Sequence, residues 1–402
     1  MMLPRRTALL GLAASWSLGQ SSLAFASASN GPDEPRFVVI ILRGALDGLA
    51  AVTPYGDAAL RTHRSPLVLP EPGQAGGLLD LGGFYGLHPS LSTLHALYGA
   101  GQMLPFHAVA GHYRSRSHFE AQDYMESGAD SRLNSGWLNR AATILTGKTD
   151  RPDGYGLAMG LTIPLLLRGP TRVGSYAPAH NEQPDTELYN QIVALNASDP
   201  LTGPALRNGL LARNFTDNAM TGIQTSNPQN KPHKTDAFIQ LATAAGLMLA
   251  TPHGPRVAAL ELGGWDTHTS QIKRLETPLA QLDHGIAALQ QNMGESWKRT
   301  VILAITEFGR TVRMNGTGGT DHGTGTVALL CGGAVAGGRV GGTWPGLRPS
   351  QLFENRDLAP TTDLRTLIAG VLCNHLHLPH TALATIFPGP RTSPAQGLVI
   401  PS

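Results

Sequence analysis

Charged residues, cysteines and long apolar runs are all scarce in this chain of 402 residues. Only 14% of the residues are charged, and 30 Lys and Arg nearly balance 28 Asp and Glu, so electrostatics give no case for nucleic acid as the main partner. Two cysteines can build neither a disulfide scaffold nor a thiolate zinc cluster. Beyond the N-terminal region, no segment reaches the ~20 uninterrupted apolar residues that cross a bilayer, so we expect no stable membrane anchor.

Glycine, proline and histidine are plentiful by contrast. The 48 Gly and 29 Pro indicate many turns and long connections rather than a helical bundle. The hydrophobic content of 41% is ordinary, which argues against a disordered chain. The 15 histidines are many for this length, and they supply most of the candidate chemistry.

The first 26 residues have the layout of an export signal. The pair Arg5 and Arg6 precedes an apolar run at 8–18, and a small-x-small cleavage pattern, Ala-Phe-Ala, follows at 24–26. This layout is typical of a twin-arginine signal peptide, and the apolar run is too short for an uncleaved anchor. We therefore expect a cleaved signal at 1–26, one domain over 30–402, the twin-arginine translocation machinery as a partner, and a periplasmic or secreted location.

Apolar runs of strand length alternate with helical patterns from residue 36 onward. The runs are apolar throughout rather than alternating, which favours strands covered on both faces, as in a parallel sheet. The sequence therefore predicts an α/β fold, a doubly wound and mostly parallel sheet flanked by helices, with a Pro/Gly-rich insertion at about 169–233. The predicted strands are 36–42, 103–109, 163–168, 256–262, 300–306 and 326–331. The predicted helices are 89–99, 117–127, 204–215, 234–250, 270–293 and 362–376.

Polar side chains follow the predicted strands. Ligands of open α/β sheets bind at the carboxyl ends of the strands, so these side chains are expected to share one edge. Carboxylates and imidazoles crowded there would be unfavourable without a cation among them. Mixed oxygen and nitrogen ligation suits Zn²⁺, Mn²⁺, Mg²⁺ or Ca²⁺, and one or two such ions are expected. The candidate metal ligands are Asp47, Asp266, His268, Glu307, Asp321 and His322.

Ser117 has two interpretations. With Glu120 three residues later it forms a capping-box pattern at a helix start. Alternatively, its hydroxyl at a helix N-terminus is a nucleophile for an anionic substrate, or orients a water on the metal, with Arg116 complementing the oxyanion. His118, like His112, is a candidate ligand or general acid beside it.

Three further arginines are candidates for binding substrate oxygens: Arg43, Arg114 and Arg310. For Arg43 and Arg310, salt bridges to the carboxylate cluster are an equal alternative. Asp363 is expected simply to cap the helix that begins near residue 362.

Six segments resemble a bacterial family catalogued as domain-of-unknown-function family 1501, whose members mostly carry twin-arginine signals. They are LRGALDGL (42–49), RSHFEAQDYMESG (116–128), GGWDTH (263–268), TEFGRT (306–311), GGTDHG (318–323) and DLAPTTDLR (357–365). That family in turn resembles the alkaline-phosphatase-like superfamily, which includes sulfatases. The resemblance implies a doubly wound sheet, two metal sites, and a Ser, Thr or formylglycine nucleophile at a helix start.

Position by position, the resemblance implies a metal-ligand role for Asp47, for the pair Asp266 and His268, and for His322. Where the superfamily has an Asp-His step, this chain has Glu307 and Phe308, which removes one ligand. No Cys-x-Pro-x-Arg segment is present, so formylglycine chemistry is not supported.

Three hypotheses of different classes follow. The first is an exported, metal-dependent hydrolase that acts on a phosphate or sulfate ester of a small molecule or polymer. The second is a non-catalytic periplasmic binding protein on a degenerate hydrolase fold, motivated by Glu307-Phe308. The third is a redox enzyme, suggested only by the export route.

Overall fold

A nine-stranded mixed sheet with helices on both faces dominates the computed structural model, which confirms the predicted fold class. The structure describes residues 21–22, 34–146, 156–178, 186–200, 202–204, 206–207, 209–210, 237–251 and 254–401. The predicted signal peptide, 1–26, thus lies outside the described residues except for Ser21–Ser22. None of the helices in these ranges is long and apolar enough to cross a membrane.

The strands run in the order β1-β8-β7-β9-β2-β10-β11-β6-β12 across the main sheet. From β8 to β10 all neighbours are parallel, whereas β11 is antiparallel to both β10 and β6. The main-sheet strands are β1 (Ser21–Ser22), β2 (Arg36–Leu42), β6 (Met103–Ala110), β7 (Gly156–Met159), β8 (Val173–Tyr176), β9 (Val257–Leu262), β10 (Thr300–Ile305), β11 (Thr326–Cys331) and β12 (Thr362–Asp363). A small second sheet contains β3 (Val52–Thr53), β4 (Leu79–Asp80) and β5 (Gly86–Leu87).

Ten α-helices lie within the described ranges. They are α1 (Gly48–Ala51), α2 (Ala59–Arg64), α3 (Ser92–Gly99), α4 (His118–Ser127), α5 (Trp137–Thr146), α6 (Thr186–Leu195), α7 (Ala237–Ala250), α8 (Gln271–Met293), α9 (Leu364–Asn374) and α10 (Leu383–Ile386). Of the predicted helix 204–215, the structure describes only 204, 206–207 and 209–210, and these residues are helical.

The central strand β2 shows why the sheet must be covered twice. All seven of its residues are buried. Val38 and Ile40 pack into one apolar cluster with α7 and α8, while Val39 and Ile41 pack into another with α5 and α9. Successive side chains of a strand point to opposite faces, so a continuously apolar strand requires a layer of helices on each side.

One predicted strand is wrong, and two four-residue strands of the main sheet are missed along with the two-residue strands. The run 163–168 contains a single 3₁₀ turn, Leu165–Leu167, because a short apolar run does not by itself distinguish a strand from a buried turn of helix. Four-residue β7 and β8 were not predicted, and β8 lies within 169–233, so the segment predicted as an insertion contributes a strand to the main sheet.

Candidate metal centre

The loops that follow β2, β6, β9 and β10, and the loop that precedes the antiparallel β11, lie at one edge of the sheet. Two glycines let these loops approach one another. At Gly44, with φ of +120°, a Cβ atom would lie 2.7 Å from the backbone nitrogen of Asp266, and at Gly323 it would lie 2.4 Å from the carbonyl carbon of Arg310. A side chain at either position would push apart the segments that carry the site.

Three imidazoles and one carboxylate meet at this edge; we call His118, Asp266, His268 and His322 the imidazole cluster. The Nε2 atom of His322 lies 3.0 Å from His118 Nε2 and 2.9 Å from His268 Nε2. Asp266 Oδ1 lies 3.0 Å from His268 Nε2, 3.4 Å from His322 Nε2 and 3.6 Å from His118 Nε2. One donor atom each from His118, Asp266 and His322 lies within 4.8 Å of the other two, a spacing that could hold a metal ion.

Each ring of the cluster bonds to an acceptor through its other nitrogen. His118 Nδ1 lies 2.7 Å from Glu307 Oε1, and His268 Nδ1 lies 3.1 Å from Asp321 Oδ1. His322 Nδ1 lies 3.0 Å from the carbonyl oxygen of Arg116. Because a carbonyl or an ionised carboxylate only accepts, these bonds place the proton of each neutral ring on Nδ1. Every Nε2 then carries a lone pair that is directed into the cluster.

This donor set fits a divalent cation. Three nitrogen lone pairs and a carboxylate oxygen within hydrogen-bond distance repel one another unless a proton or a cation lies among them. Imidazole nitrogen and carboxylate oxygen are ligands of Zn²⁺, and an Nδ1–H bonded to a carboxylate or carbonyl is the usual support of a ligating histidine. His118, Asp266, His268 and His322 therefore form the candidate ligand set.

Residues around the imidazole cluster shift the pKa values of its members. Burial opposes ionisation of Asp266, but the hydrogen bond and positive charge of Arg310 outweigh it, and the pKa of Asp266 is lowered. Burial likewise opposes ionisation of Glu307, yet hydrogen bonds, first among them that of His118, lower its pKa. The bond to Glu307 in turn raises the pKa of His118, whereas burial lowers that of His322.

Glu307 and Asp321 were predicted as metal ligands, and in the structure each bonds to the Nδ1 atom of a ring in the imidazole cluster. Glu307 accepts from the backbone N–H of Gly44 at 2.9 Å and from Gln122 at 3.1 Å in addition to His118. Asp321 accepts from Asn315 at 3.2 Å as well as bonding to His268. One oxygen of each carboxylate, Oε1 of Glu307 and Oδ1 of Asp321, thus holds a ring.

Asp47, also predicted as a ligand, lies outside the imidazole cluster. Its side chain is 1% exposed, and Oδ2 pairs with Arg64 at 2.7 Å and accepts from Gln271 at 2.5 Å. Oδ1 accepts from the backbone N–H of Leu49 at 3.1 Å, which caps α1. With both oxygens bonded in this way, Asp47 is left out of the ligand set.

The predicted substrate-binding arginines are engaged with the protein. Arg43 pairs with Glu126 at 2.6 Å and with Glu261, which are carboxylates outside the predicted ligand cluster. Arg310 is buried, donates to the carbonyl oxygens of Ala45, Gly44 and Thr320, and pairs with Asp266, and Arg114 donates to carbonyls of its own loop.

At the start of α4, the structure bears on the capping interpretation of Ser117. Ser117 is the N-cap residue, but its side chain makes no capping hydrogen bond, and Glu120 instead accepts from Tyr113. The predicted capping box is therefore wrong. Beside it, Arg116 pairs with Asp357 and Glu354, and His112 lies 3.8 Å from Asp130, apart from the imidazole cluster.

Phe308 forms part of the wall of the site. Its ring centroid lies 4.9 Å from that of His118 and 5.1 Å from that of His322. This apolar ring offers no ligand atom to a cation beside the two imidazoles.

Sequence reasoning missed the carbonyl oxygen of Arg116 and the carboxylate of Asp357. Every residue has a carbonyl, so no sequence signal identifies the first. Asp357 lies in the segment DLAPTTDLR, whose resemblance to family 1501 was the only available signal.

A family model described as "Protein of unknown function (DUF1501)" matches residues 88–387. The chain belongs to this family. The comparison with curated proteins found no match.

Among solved structures, the C-terminal periplasmic domain of EptC from Escherichia coli in complex with Zn has 11% identity and a TM-score of 0.34, covering 77% of this chain and 76% of that one. A protein in the alkaline phosphatase superfamily from Vibrio parahaemolyticus has 10% identity and a TM-score of 0.33, covering 85% and 71%. The PsFucS1 sulfatase from Pseudoalteromonas sp. has 11% identity and a TM-score of 0.35, covering 98% and 78%. Likeness at this level does not establish a shared function.

Proposed function

We propose that this protein is an exported, metal-dependent hydrolase of phosphate or sulfate esters. The observation that carries the proposal is the convergence of three Nε2 atoms and Asp266 Oδ1, with each Nδ1 bonded to an outer acceptor. His118, Asp266, His268 and His322 would hold one ion, and Phe308 speaks against a second. The twin-arginine pattern supports a periplasmic or secreted location.

A divalent cation at this site would supply a Lewis acid that offsets the negative charge on the non-bridging oxygens of the ester in the transition state. Zinc suits the nitrogen-rich donor set best. Arg310 keeps Asp266 ionised, and the outer acceptors keep the rings oriented, before substrate arrives.

Ser117 is the residue that we assign to attack the ester, or to orient the attacking water. It directly precedes His118 at the N-terminus of α4, where the helix dipole favours a negative charge. Its side chain is half-buried and free of a capping bond, so the hydroxyl remains available to substrate.

Elemental analysis of protein purified without added metal or chelator tests the ligand set. We expect about one ion per chain in the wild type and almost none in His322→Ala or Asp266→Ala. His284→Ala, which alters an exposed histidine on α8, is the matched control and should keep its ion. Full metal content in both cluster variants would refute the site.

Activity is tested on the metal-loaded protein with a phosphomonoester, a phosphodiester and a sulfate ester. Ser117→Ala should keep its metal but lose turnover by about a hundredfold or more, as expected for a group that acts in the transition state. No turnover on any of the three, together with tight binding of their anions, would instead favour the binding protein.

A further inference from the structure

The backbone of Arg116 is left-handed. Its φ of +62° is uncommon for a residue that has a side chain. The same residue directs its carbonyl oxygen at His322 Nδ1, at 3.0 Å. The unusual conformation therefore coincides with the acceptor that orients one ring of the imidazole cluster.

The side chain of Arg116 is anchored by a buried carboxylate. Asp357 is 0% exposed, and its Oδ2 accepts from Nε and Nη2 of Arg116 at 3.1 and 2.8 Å. Glu354 is a second partner of the guanidinium, but its side chain is 54% exposed. Of the two acids, Asp357 is the one whose pairing with Arg116 is shielded from water.

Asp357 also holds the segment that carries His322, whose ring bonds to the Arg116 carbonyl. Thr324, two residues after His322, donates its hydroxyl to Asp357 Oδ2 at 2.8 Å. The loop that presents Asp357 is itself closed by paired backbone bonds of 2.9 Å between Phe353 and Asp357. One carboxylate thus joins the segment that supplies the acceptor to the segment that supplies the ring.

We propose that Asp357 is a positioning residue of the metal centre. It holds Arg116 in the left-handed conformation in which the carbonyl fixes the proton of His322 on Nδ1 and leaves Nε2 free to ligate. The proposal rests on the proposed function, because it assigns Nε2 of His322 to a cation. It also reassigns Arg116: the backbone carbonyl acts on the site, and the guanidinium serves as its anchor.

Glycine and valine at position 116 separate these roles. The anchor offsets the steric cost of a positive φ at Arg116, and glycine has no such cost, so Arg116→Gly should keep the carbonyl in place although the guanidinium is gone. Valine is β-branched and disfavours that conformation, so Arg116→Val should displace the carbonyl. If the guanidinium itself mattered at the site, both variants would be equally impaired.

The first measurement is the tautomer of His322 in metal-free protein, read from long-range ¹H–¹⁵N correlations of ¹⁵N-histidine-labelled chains at about pH 8.5, where free imidazole is neutral. We expect the Nδ1–H tautomer in the wild type, in Arg116→Gly and in the exposed-partner control Glu354→Gln. Asp357→Asn and Arg116→Val should show mixed tautomers.

The second measurement is zinc affinity by competition with a chelating dye. Asp357→Asn and Arg116→Val should bind zinc about 10–100-fold more weakly than the wild type, and Arg116→Gly and Glu354→Gln within about threefold of it. A folded Asp357→Asn with the wild-type tautomer and affinity would overturn the proposal, as would Arg116→Gly impaired as much as Arg116→Val. A wild type that binds no zinc refutes the proposed function, while the tautomer in metal-free protein still decides the role of Asp357.

Discussion

Two clusters of polar side chains lie at the same edge of the sheet. They differ in whether hydrogen-bond donors face the acceptors within the cluster. In the first, which we call the Asp47 network, Asp47 faces Arg64 and Gln271, so acceptors meet donors. Thr267 and Thr320 donate in turn to the side-chain oxygen of Gln271, at 3.0 and 2.6 Å. In the imidazole cluster, acceptors face acceptors.

The difference shows that a polar residue after a strand is not by itself a ligand. Asp47 and Asp266 are both aspartates at strand ends, yet Asp47 is 1% exposed and saturated, whereas the side chain of Asp266 is 49% exposed and shared with three rings. A closed network stabilises the fold, and an open cluster of lone pairs requires a cation. The two groups should therefore respond oppositely to the same perturbations.

The largest expected effect is that of Asp47→Ala. Removing one partner of a buried ion pair leaves Arg64 uncompensated, and the free energy of unfolding should fall by about 3–5 kcal/mol. Metal content per folded chain should remain that of the wild type. Chemical denaturation and elemental analysis of the same preparation measure both quantities.

Asp266→Ala is the reciprocal control. Its carboxylate is half exposed, and Arg310 keeps four carbonyl acceptors without it, so the metal-free protein should lose no more than about 1 kcal/mol. Loss of metal in a folded Asp47→Ala protein would erase the distinction between the two groups.

A second prediction concerns the loss of stability at low pH through a buried histidine, His107. Burial lowers the pKa of His107 to about 4 from an ordinary 6.5, and its neutral ring bonds to the carbonyl oxygen of Val52 at 2.9 Å. Between these two pKa values the unfolded chain binds a proton that the folded chain does not. The stabilisation is therefore complete above pH 6.5 and is lost as the pH falls towards 4, by about 3 kcal/mol from this group.

The test is the change in unfolding free energy of the metal-free protein from pH 7 to pH 4.5, compared with His107→Gln. His88 and His375 have the same lowered pKa, so the wild type loses more than the share of His107. The variant should lose about 2–3 kcal/mol less over that interval, whatever its stability at pH 7. Equal losses would mean that the pKa of His107 is not lowered in the folded protein, so that its ring takes up the proton there too.

The fold was largely predictable because burial on both faces leaves a direct record in the sequence. β2 and β11 have the predicted bounds, since every residue in each is buried. Strands β7 and β8 are only four residues long, too short for an apolar run to stand out. Register and strand order depend on contacts between distant segments, which a single sequence does not encode locally.

The sequence predicted which residues meet at the site but not the role of each. Strand ends brought Asp266, His268 and His322 together with His118, but ligand and supporting residue use the same side chains, and only geometry separates them. Helix-capping patterns in the sequence predicted one cap correctly and one wrongly. Asp363 caps α9 as predicted, through Arg365 N–H, whereas Ser117 has a capping pattern and makes no capping bond.

The smallest expected effects lie in the outer acceptors of the imidazole cluster, and they should follow burial. The Glu307 side chain is 0% exposed and orients His118, while that of Asp321 is 53% exposed and orients His268. Glu307→Gln should weaken zinc binding about 10–100-fold, as removal of a supporting carboxylate does elsewhere. Asp321→Asn should weaken it less than about tenfold, because water can replace an exposed acceptor.

Zinc competition titrations on both variants, with Glu261→Gln as the matched control, measure this order. Glu261 is the penultimate residue of the neighbouring strand β9 and pairs with Arg43, so it shares the edge of the sheet without contacting a ring of the cluster. Its substitution should leave the affinity within about twofold of the wild type, since it removes only a partly exposed ion pair. If Asp321→Asn proved the more damaging variant, the buried carboxylate would belong with the Asp47 network, and His268 rather than His118 would be the ring whose orientation limits binding.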